Sequence, residues 1–145
     1  MNKTKVSVII AAAGDANRMH GVNKQLYLLD GKPVVEHCLQ VFSEIPSVRE
    51  IIVVCREQEL SLYKELATRF ETPKLATVAA VGGATRQQSV FSGVLASQIK
   101  ADYYAIHDGA RPLIQKEEIC GCLALAEEHG AAAVGVPVKD TIKIV

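Results

Sequence analysis

Short apolar runs recur along the chain at Val6–Ala11, Ile51–Cys55, Leu75–Val81, Tyr103–His107 and Ala131–Val138. Most are rich in β-branched residues and too short and too uniformly apolar for one-sided burial, so they read as strands covered on both faces. The stretches between them carry apolar residues at helical spacing: Val34, Cys38, Val41, Phe42 and Ile45, then Leu60 to Phe70, then Val90, Phe91, Val94 and Leu95, then Ile119, Cys122, Leu123 and Ala126. Strand and helix alternate, which predicts βαβ units with right-handed crossovers onto a parallel sheet. Pro33 near the start of the first helix and Gly130 after the last punctuate that reading. The expected fold class is α/β: a Rossmann-like, doubly wound, mostly parallel sheet.

With 145 residues, 49% of them apolar, the chain can bury one substantial core, and it shows no internal repeat, low-complexity stretch or linker. One domain over residues 1–145 is expected. The formal net charge is zero, so no global field draws in nucleic acid or a membrane surface, and any anion has to be bound by local design. Met1 to Lys5 lead directly into the first apolar run, which is too brief for a signal peptide or a membrane span, and a cytoplasmic protein is the expectation. Cys38, Cys55, Cys120 and Cys122 lack the spacing of a zinc or redox pair and read as small buried hydrophobes. The final segment, Pro137 to Val145, alternates polar and apolar residues like a strand with one wet face and stops without turn or cap. A chain cut short of a whole protein is expected.

Three loops carry chemistry. The first strand runs into Ala11-Ala12-Ala13-Gly14-Asp15-Ala16-Asn17-Arg18-Met19, where small residues let the backbone approach a ligand and present its N–H groups. Alone, such a stretch is as well explained by a tight strand-to-helix connection. Arg18 and Lys24 add two cations able to neutralise a triphosphate from several sides. The second loop, Gly82-Gly83-Ala84-Thr85-Arg86-Gln87-Gln88-Ser89, sets N–H groups, hydroxyls and an arginine at a helix N-terminus, a place suited to an anion or a base. A Gly-Gly turn with Thr85 as N-cap is the bland alternative and is compatible with it.

The third loop, His107-Asp108-Gly109-Ala110-Arg111-Pro112, starts with an aspartate leaving the carboxyl end of a buried strand, a natural ligand for Mg²⁺, whose sites commonly combine one or two carboxylates with substrate phosphates. Its alternatives are a helix cap or a salt bridge to Arg111. Asp15 is a candidate helper whose alternative is a structural or solvent-facing role. If the first and fourth strands are neighbours, the Gly14 loop and Asp108 meet where strand order reverses, the usual ligand crevice of such sheets. Of the four histidines, His20, His37, His107 and His129, no two have metal-ligand spacing, and only His107 has a role, bracing the Asp108 loop.

Taken together, Ala12-Ala13-Gly14 with Arg18-Met19 and Asn23-Lys24, Gly82-Gly83 with Arg86 and Ser89, His107-Asp108-Gly109-Ala110-Arg111-Pro112, and Pro137-Val138-Lys139-Asp140-Thr141-Ile142-Lys143 resemble the 2-C-methyl-D-erythritol 4-phosphate cytidylyltransferase family essentially end to end. The first motif is shared by many sugar-phosphate nucleotidyltransferases; the last two point more narrowly to this family. The resemblance implies the nucleotide-diphospho-sugar transferase type of fold, and transfer of a cytidylyl group from CTP to methylerythritol phosphate with release of pyrophosphate, in non-mevalonate isoprenoid synthesis. It implies Arg18 and Lys24 as catalytic cations, with Ala12, Ala13, Gly14, Asp15, Gly83, Ala84, Ser89 and Gly109 around the nucleotide. Arg111, Asp140 and Thr141 fall to the sugar phosphate and Asp108 to Mg²⁺, in a homodimer.

The chain departs from the family at Ala16, where a second glycine is frequent, at Asn23, where a proline often precedes the lysine, and at Ala84, where an acidic residue is usual. None of these removes an assigned charge. Length is the larger departure: the resemblance implies a continuation into a projecting β-arm at whose start this chain ends, and the isolated 1–145 chain is expected to bind CTP weakly at best and to turn over little or nothing. The rival substrates are other polyol phosphates such as ribitol phosphate, and the rival non-enzymatic reading is an inactive nucleotide-binding remnant. A dinucleotide-dependent oxidoreductase is disfavoured because Ala16 and Met19 stand where G-x-G-x-x-G needs glycine, and Glu57 lies too far along.

Overall fold

The structure, a computed structural model, describes residues 4–14 and 23–138. The chain divides into two compact units, Met1–Ile114 and Gln115–Val145.

The first unit is built on a four-stranded parallel sheet of β1 (Val6–Ala11), β4 (Val48–Cys55), β5 (Ala76–Val81) and β6 (Tyr103–Asp108), in the order β5-β4-β1-β6. Between β1 and β4 lie a two-residue hairpin of β2 (Leu28–Leu29) and β3 (Lys32–Pro33), and helix α1 (Val34–Ser43). Helix α2 (Leu60–Thr68) links β4 to β5, and α3 (Arg86–Ala96) links β5 to β6. From β1 the chain winds outward to β4 and β5, then returns across the sheet to place β6 on the other side of β1. The switch point therefore lies between β1 and β6, where Ala11 is in register with Asp108.

Ile9, Ile52 and Val54 are fully buried and pack with Val78 and Ala80 of the sheet and with Val90, Val94 and Ala96 of α3. Side chains alternate across a strand, so Val8, Ile10, Ile51 and Val53 form the opposite inner face, covered by the buried stripes Val35, Cys38, Leu39 and Phe42 of α1 and Tyr63, Leu66 and Ala67 of α2. Both faces of β1 and β4 are closed, which is why these strands read as unbroken apolar runs.

β4 begins at Val48, earlier than its apolar run, because its first turn is polar for structural reasons. The register steps from Val6↔Val48 to Ser7↔Glu50, leaving Arg49 as a bulge residue. Glu50 is fully buried, and its carboxylate accepts from the Ser7 and Ser97 hydroxyls, both at 2.6 Å, and from the Gln98 amide at 2.6 Å. The hairpin turns at Asp30 (φ 50°) and Gly31 (φ 74°), the left-handed pair that an Asp-Gly turn requires. His37 Nε2 lies 2.8 Å from the Leu29 carbonyl and ties the hairpin to α1.

The second unit contains α4 (Lys116–His129), opened by a capping box of Gln115 and Glu118 and closed by Gly130 in the left-handed region at φ 86°. The strand expected at residues 131–138 is absent: this stretch has no ladder and is exposed. Three alanines, Gly135 and Pro137 have weak intrinsic strand preference, so strand formation here depends on a pairing neighbour, and no described residue supplies one. The expected uniform burial of cysteines also needs correction. Cys38 and Cys55 are buried, but Cys122 is partly exposed and Cys120 exposed, one helical step from the buried Ile119.

Candidate active site

The carboxyl ends of the sheet strands are laced by backbone hydrogen bonds that carry each ladder into its loop. Ala12 N donates to Val54 O at 2.7 Å, Gly82 N to Cys55 O at 2.8 Å, and Gly109 N to Ala11 O at 2.9 Å. Ala12 is thereby buried, Ala13 is partly covered and Gly14 emerges at the surface. Arg56, just past the end of β4, donates from Nη2 to the Gly14 carbonyl at 2.5 Å.

The Gly82–Thr85 turn is shaped by Ser89. Its hydroxyl, almost completely buried, accepts from Gly83 N at 3.2 Å and lies 3.0 Å from the Thr85 carbonyl. Thr85 caps α3 as expected, accepting from Gln88 N at 3.1 Å, while Gln88 Oε1 accepts from Thr85 N at 3.1 Å. Ser89 therefore holds the turn, and Gly83, Ala84 and Arg86 form its exposed surface.

Arg86 reaches from the first turn of α3 to Asp108, with Nη2 at 2.8 Å and Nε at 3.3 Å from Oδ1. Arg111 Nε lies 3.0 Å from Oδ2. The carboxylate thus stands between two guanidinium groups, so the salt bridge to Arg111 exists and a second, to Arg86, joins the β5 and β6 loops. Partial burial works against the charge on Asp108, but the hydrogen bond and charge of Arg86, with Arg111 added, outweigh it and hold the carboxyl below its ordinary range. His107 braces this loop: its Nε2 lies 3.0 Å from the Arg111 carbonyl, and its ring meets Phe42 edge-on at 5.2 Å. Burial pushes the imidazole below its usual value despite the Arg111 carbonyl and Asp108, which favours the neutral ring.

Lys24 opens a 3-10 turn, Lys24–Leu26, and is exposed. The turn abuts the β6 loop, since a Cβ added at the buried Gly109 would lie 3.4 Å from Gln25 Cγ. The structure thus gathers Ala12, Ala13, Gly14, Lys24, Gly83, Ala84, Ser89, Asp108, Gly109 and Arg111 at one end of the sheet. Arg18, Asp15, Asp140 and Thr141 lie outside the described residues. Sequence reasoning passed over Arg56 and Glu59, whose signal was only their place just after a buried strand. Arg86 and Arg111 about the ionised Asp108 carboxylate, with the exposed Lys24 on the adjoining turn, suit a polyphosphate more than an apolar ligand. Among the described residues no three His, Cys, Asp or Glu side chains cluster as a complete metal cage.

The sequence pattern of the 2-C-methyl-D-erythritol 4-phosphate cytidylyltransferase family matches residues 6–145. Proteins of that name from Dehalococcoides mccartyi (strain CBDB1) and Halalkalibacterium halodurans are 42% identical over 139 residues and 43% identical over 138, covering 96% and 94% of this chain. The chain spans about 60% of the length of each of these relatives. Among solved structures, the 4-diphosphocytidyl-2C-methyl-D-erythritol synthase of Anaerococcus prevotii superposes with a TM-score of 0.85 at 26% identity, over 99% of this chain and 61% of its own. The Francisella tularensis cytidylyltransferase gives 0.63 at 25% identity, over 86% and 52%. Pattern, relatives and backbone agree: the chain belongs to the 2-C-methyl-D-erythritol 4-phosphate cytidylyltransferase family.

Proposed function

We propose that the protein carrying this chain is a Mg²⁺-dependent cytidylyltransferase that joins CTP and 2-C-methyl-D-erythritol 4-phosphate, giving the CDP-linked sugar alcohol and pyrophosphate in non-mevalonate isoprenoid synthesis. The observation that carries the reading is Asp108 at the switch point, in register with Ala11 and bridged to the glycine loop by Arg86 at 2.8 Å. Attack of the sugar phosphate on the α-phosphorus spreads charge over bridging and equatorial oxygens, and positioning plus fixed cations can supply most of the acceleration without a protein nucleophile. The exposed turn at Gly83 and Ala84 takes the base and ribose, the backbone of Ala13 and Gly14 takes the phosphates, and Lys24 with Arg18 stabilises the developing charge; Ala12, buried with its amide bonded to Val54 O, supports that backbone from behind. Arg111 is assigned to the sugar phosphate, as are Asp140 and Thr141, which lie outside the described residues.

Asp108 has the chemistry to hold Mg²⁺: it is ionised, its side chain is 32% exposed, and its guanidinium partners are themselves exposed at 62% and 76%, so a cation can reach it. A single carboxylate suffices where phosphates and water complete the shell. Mg²⁺, when bound, would neutralise charge on the nucleotide phosphates. The same reading makes the protein a cytoplasmic homodimer; among the described residues no helix is long and apolar enough to cross a membrane.

The test is calorimetric titration of the intact protein with CTP, ATP and GTP, with and without Mg²⁺, followed by turnover of methylerythritol phosphate against ribitol phosphate. CTP preference, metal dependence and turnover of methylerythritol phosphate are expected. Binding that ignores base identity or metal would overturn the proposal.

A further inference from the structure

The two residues that flank positions 15–22 are both held by the connection between β4 and α2. On one side Arg56 grips the Gly14 carbonyl. On the other, Asn23 Nδ2 donates to Glu59 Oε1 at 2.7 Å and lies 3.4 Å from the Tyr63 hydroxyl. The Asn23 Oδ1 faces the other way and accepts from Gln25 N at 3.0 Å, capping the turn that Lys24 opens. One amide side chain thus closes two contacts, to its own turn and to a neighbouring segment anchored by the fully buried Tyr63.

Glu59 is in an expensive position for a carboxylate. Its Oε2 is shielded from solvent and, among the described residues, has no hydrogen-bond partner. Leaving such an oxygen unsatisfied costs stability, whereas an apolar side chain there would not incur that cost. The contact the carboxylate does make is to Asn23. We infer that Asn23 and Glu59 are a positioning pair that sets the Lys24 turn against the Asp108 loop, acting on the reaction through Lys24 and touching no substrate themselves. The inference rests on the reading of Lys24 as a phosphate-binding cation.

The pair acts by geometry, and its charge is dispensable. Glutamine at position 59 keeps an acceptor for Asn23 and removes the charge; leucine removes both. In the intact protein, Asn23→Ala and Glu59→Leu should each lower kcat by roughly tenfold, the worth of a hydrogen bond to a charged group, with KM for CTP within about twofold. Glu59→Gln should keep at least about half of the wild-type kcat, and the Asn23→Ala/Glu59→Leu double variant should be no slower than the slower single, because one contact is lost only once.

Trypsin cleavage after Lys24 reads the order of the turn with no nucleotide present. It should accelerate about fivefold or more in Asn23→Ala and Glu59→Leu, since cleavage follows local opening, and stay at the wild-type rate in Glu59→Gln. Unchanged cleavage overturns the pair. So does altered cleavage with normal kcat, which would confine it to local structure, or a Glu59→Gln as slow as Glu59→Leu, which would make the charge the active element. A wild-type protein that transfers no cytidylyl group refutes the proposed activity instead, and the cleavage rates then decide the pairing alone.

Discussion

At Gly82 the loops that follow β1 and β5 pack against each other, and Gly82→Ala measures that packing. A Cβ built on Gly82 would lie 2.5 Å from Ala13 Cβ, 2.8 Å from Ser89 Oγ and 3.3 Å from Val54 Cγ1. Carbon pairs rest at about 3.5–4.0 Å, so the Ala13 contact alone demands a separation of about 1 Å. None of the neighbours yields easily. Ala13 has no rotamer to change and follows Ala12, whose amide is bonded to Val54 O at 2.7 Å. Val54 is fully buried, and the Ser89 hydroxyl is committed to Gly83 and Thr85. The added methyl therefore separates the Ala12–Gly14 and Gly82–Thr85 backbones. Overpacking of this kind costs about 1–3 kcal/mol, against about 0.4–1 kcal/mol returned by restricting the unfolded chain. The functional cost is larger, since misplacing binding groups by about 1 Å can lower turnover on the order of a hundredfold. Calorimetry with CTP and a denaturant titration of the same protein separate the two effects. Gly121→Ala is the control: it lies within α4 with nothing within 4 Å of the added Cβ, and should gain up to about 1 kcal/mol of stability. A Gly82→Ala protein that binds CTP as tightly as wild type at unchanged stability would refute the packing argument.

Glu50→Leu should destabilise the protein by about 3 kcal/mol or more, because two serine hydroxyls and the Gln98 amide lose a buried acceptor together, each such loss costing about 1–3 kcal/mol. Glu50→Gln should cost about 1 kcal/mol in the same denaturant titration, and a Leu variant within about 1 kcal/mol of wild type would contradict the assignment. Burial lifts the Cys38 and Cys55 thiols from an ordinary 9.0 to about 11, so iodoacetamide at pH 8 should modify the exposed Cys120 first and these two at least about tenfold more slowly. Their raised values favour the protonated thiol in the folded state; as the unfolded thiols ionise first, stability should fall between about pH 9 and about pH 11, and a pH-independent denaturation midpoint across that window would count against it.

The sheet was legible in the sequence because β1 and β4 are buried on both faces, which writes them as apolar runs, and because the crossover rule leaves few ways to wind the strands; the two-sided burial expected of Tyr103–His107 is not found, since Tyr104 and Ile106 are exposed. What periodicity missed has a specific cause in each case. Arg49 and Glu50 hid the start of β4, one as a bulge residue and the other as a buried polar clamp. The Asp30-Gly31 hairpin carried its turn signal in the sequence, but its two-residue strands are too short for periodicity to register. The run at 131–138 looked like its predecessors, yet a strand exists only through a neighbour's ladder, and composition does not contain the neighbour. At the sheet end, the position of the loops was legible because each directly follows an apolar run that forms a strand. The Arg86–Asp108 pair, 22 positions apart, and the Asn23–Glu59 pair, 36 apart, were not, since they follow from the crossover of the whole sheet.

The zero net charge of the chain gives this site its electrostatic meaning. Arg56 and Glu59 occur together in one connection and balance each other. At the switch point Arg86 and Arg111 flank the carboxylate of Asp108, so two cations less one anion leave an excess of one positive charge among these residues. Arg86 is also the first residue of α3, where the helix dipole adds positive character and disfavours a cation. Asp108 offsets that cost at 2.8 Å and keeps Arg86 at the mouth of the sheet. Removing the carboxylate would leave two guanidinium groups and a helix terminus in mutual repulsion, and the arginines would lose the contact that orders them. The aspartate thus has a structural part in ordering the two arginines at the mouth of the sheet, independent of any metal it binds.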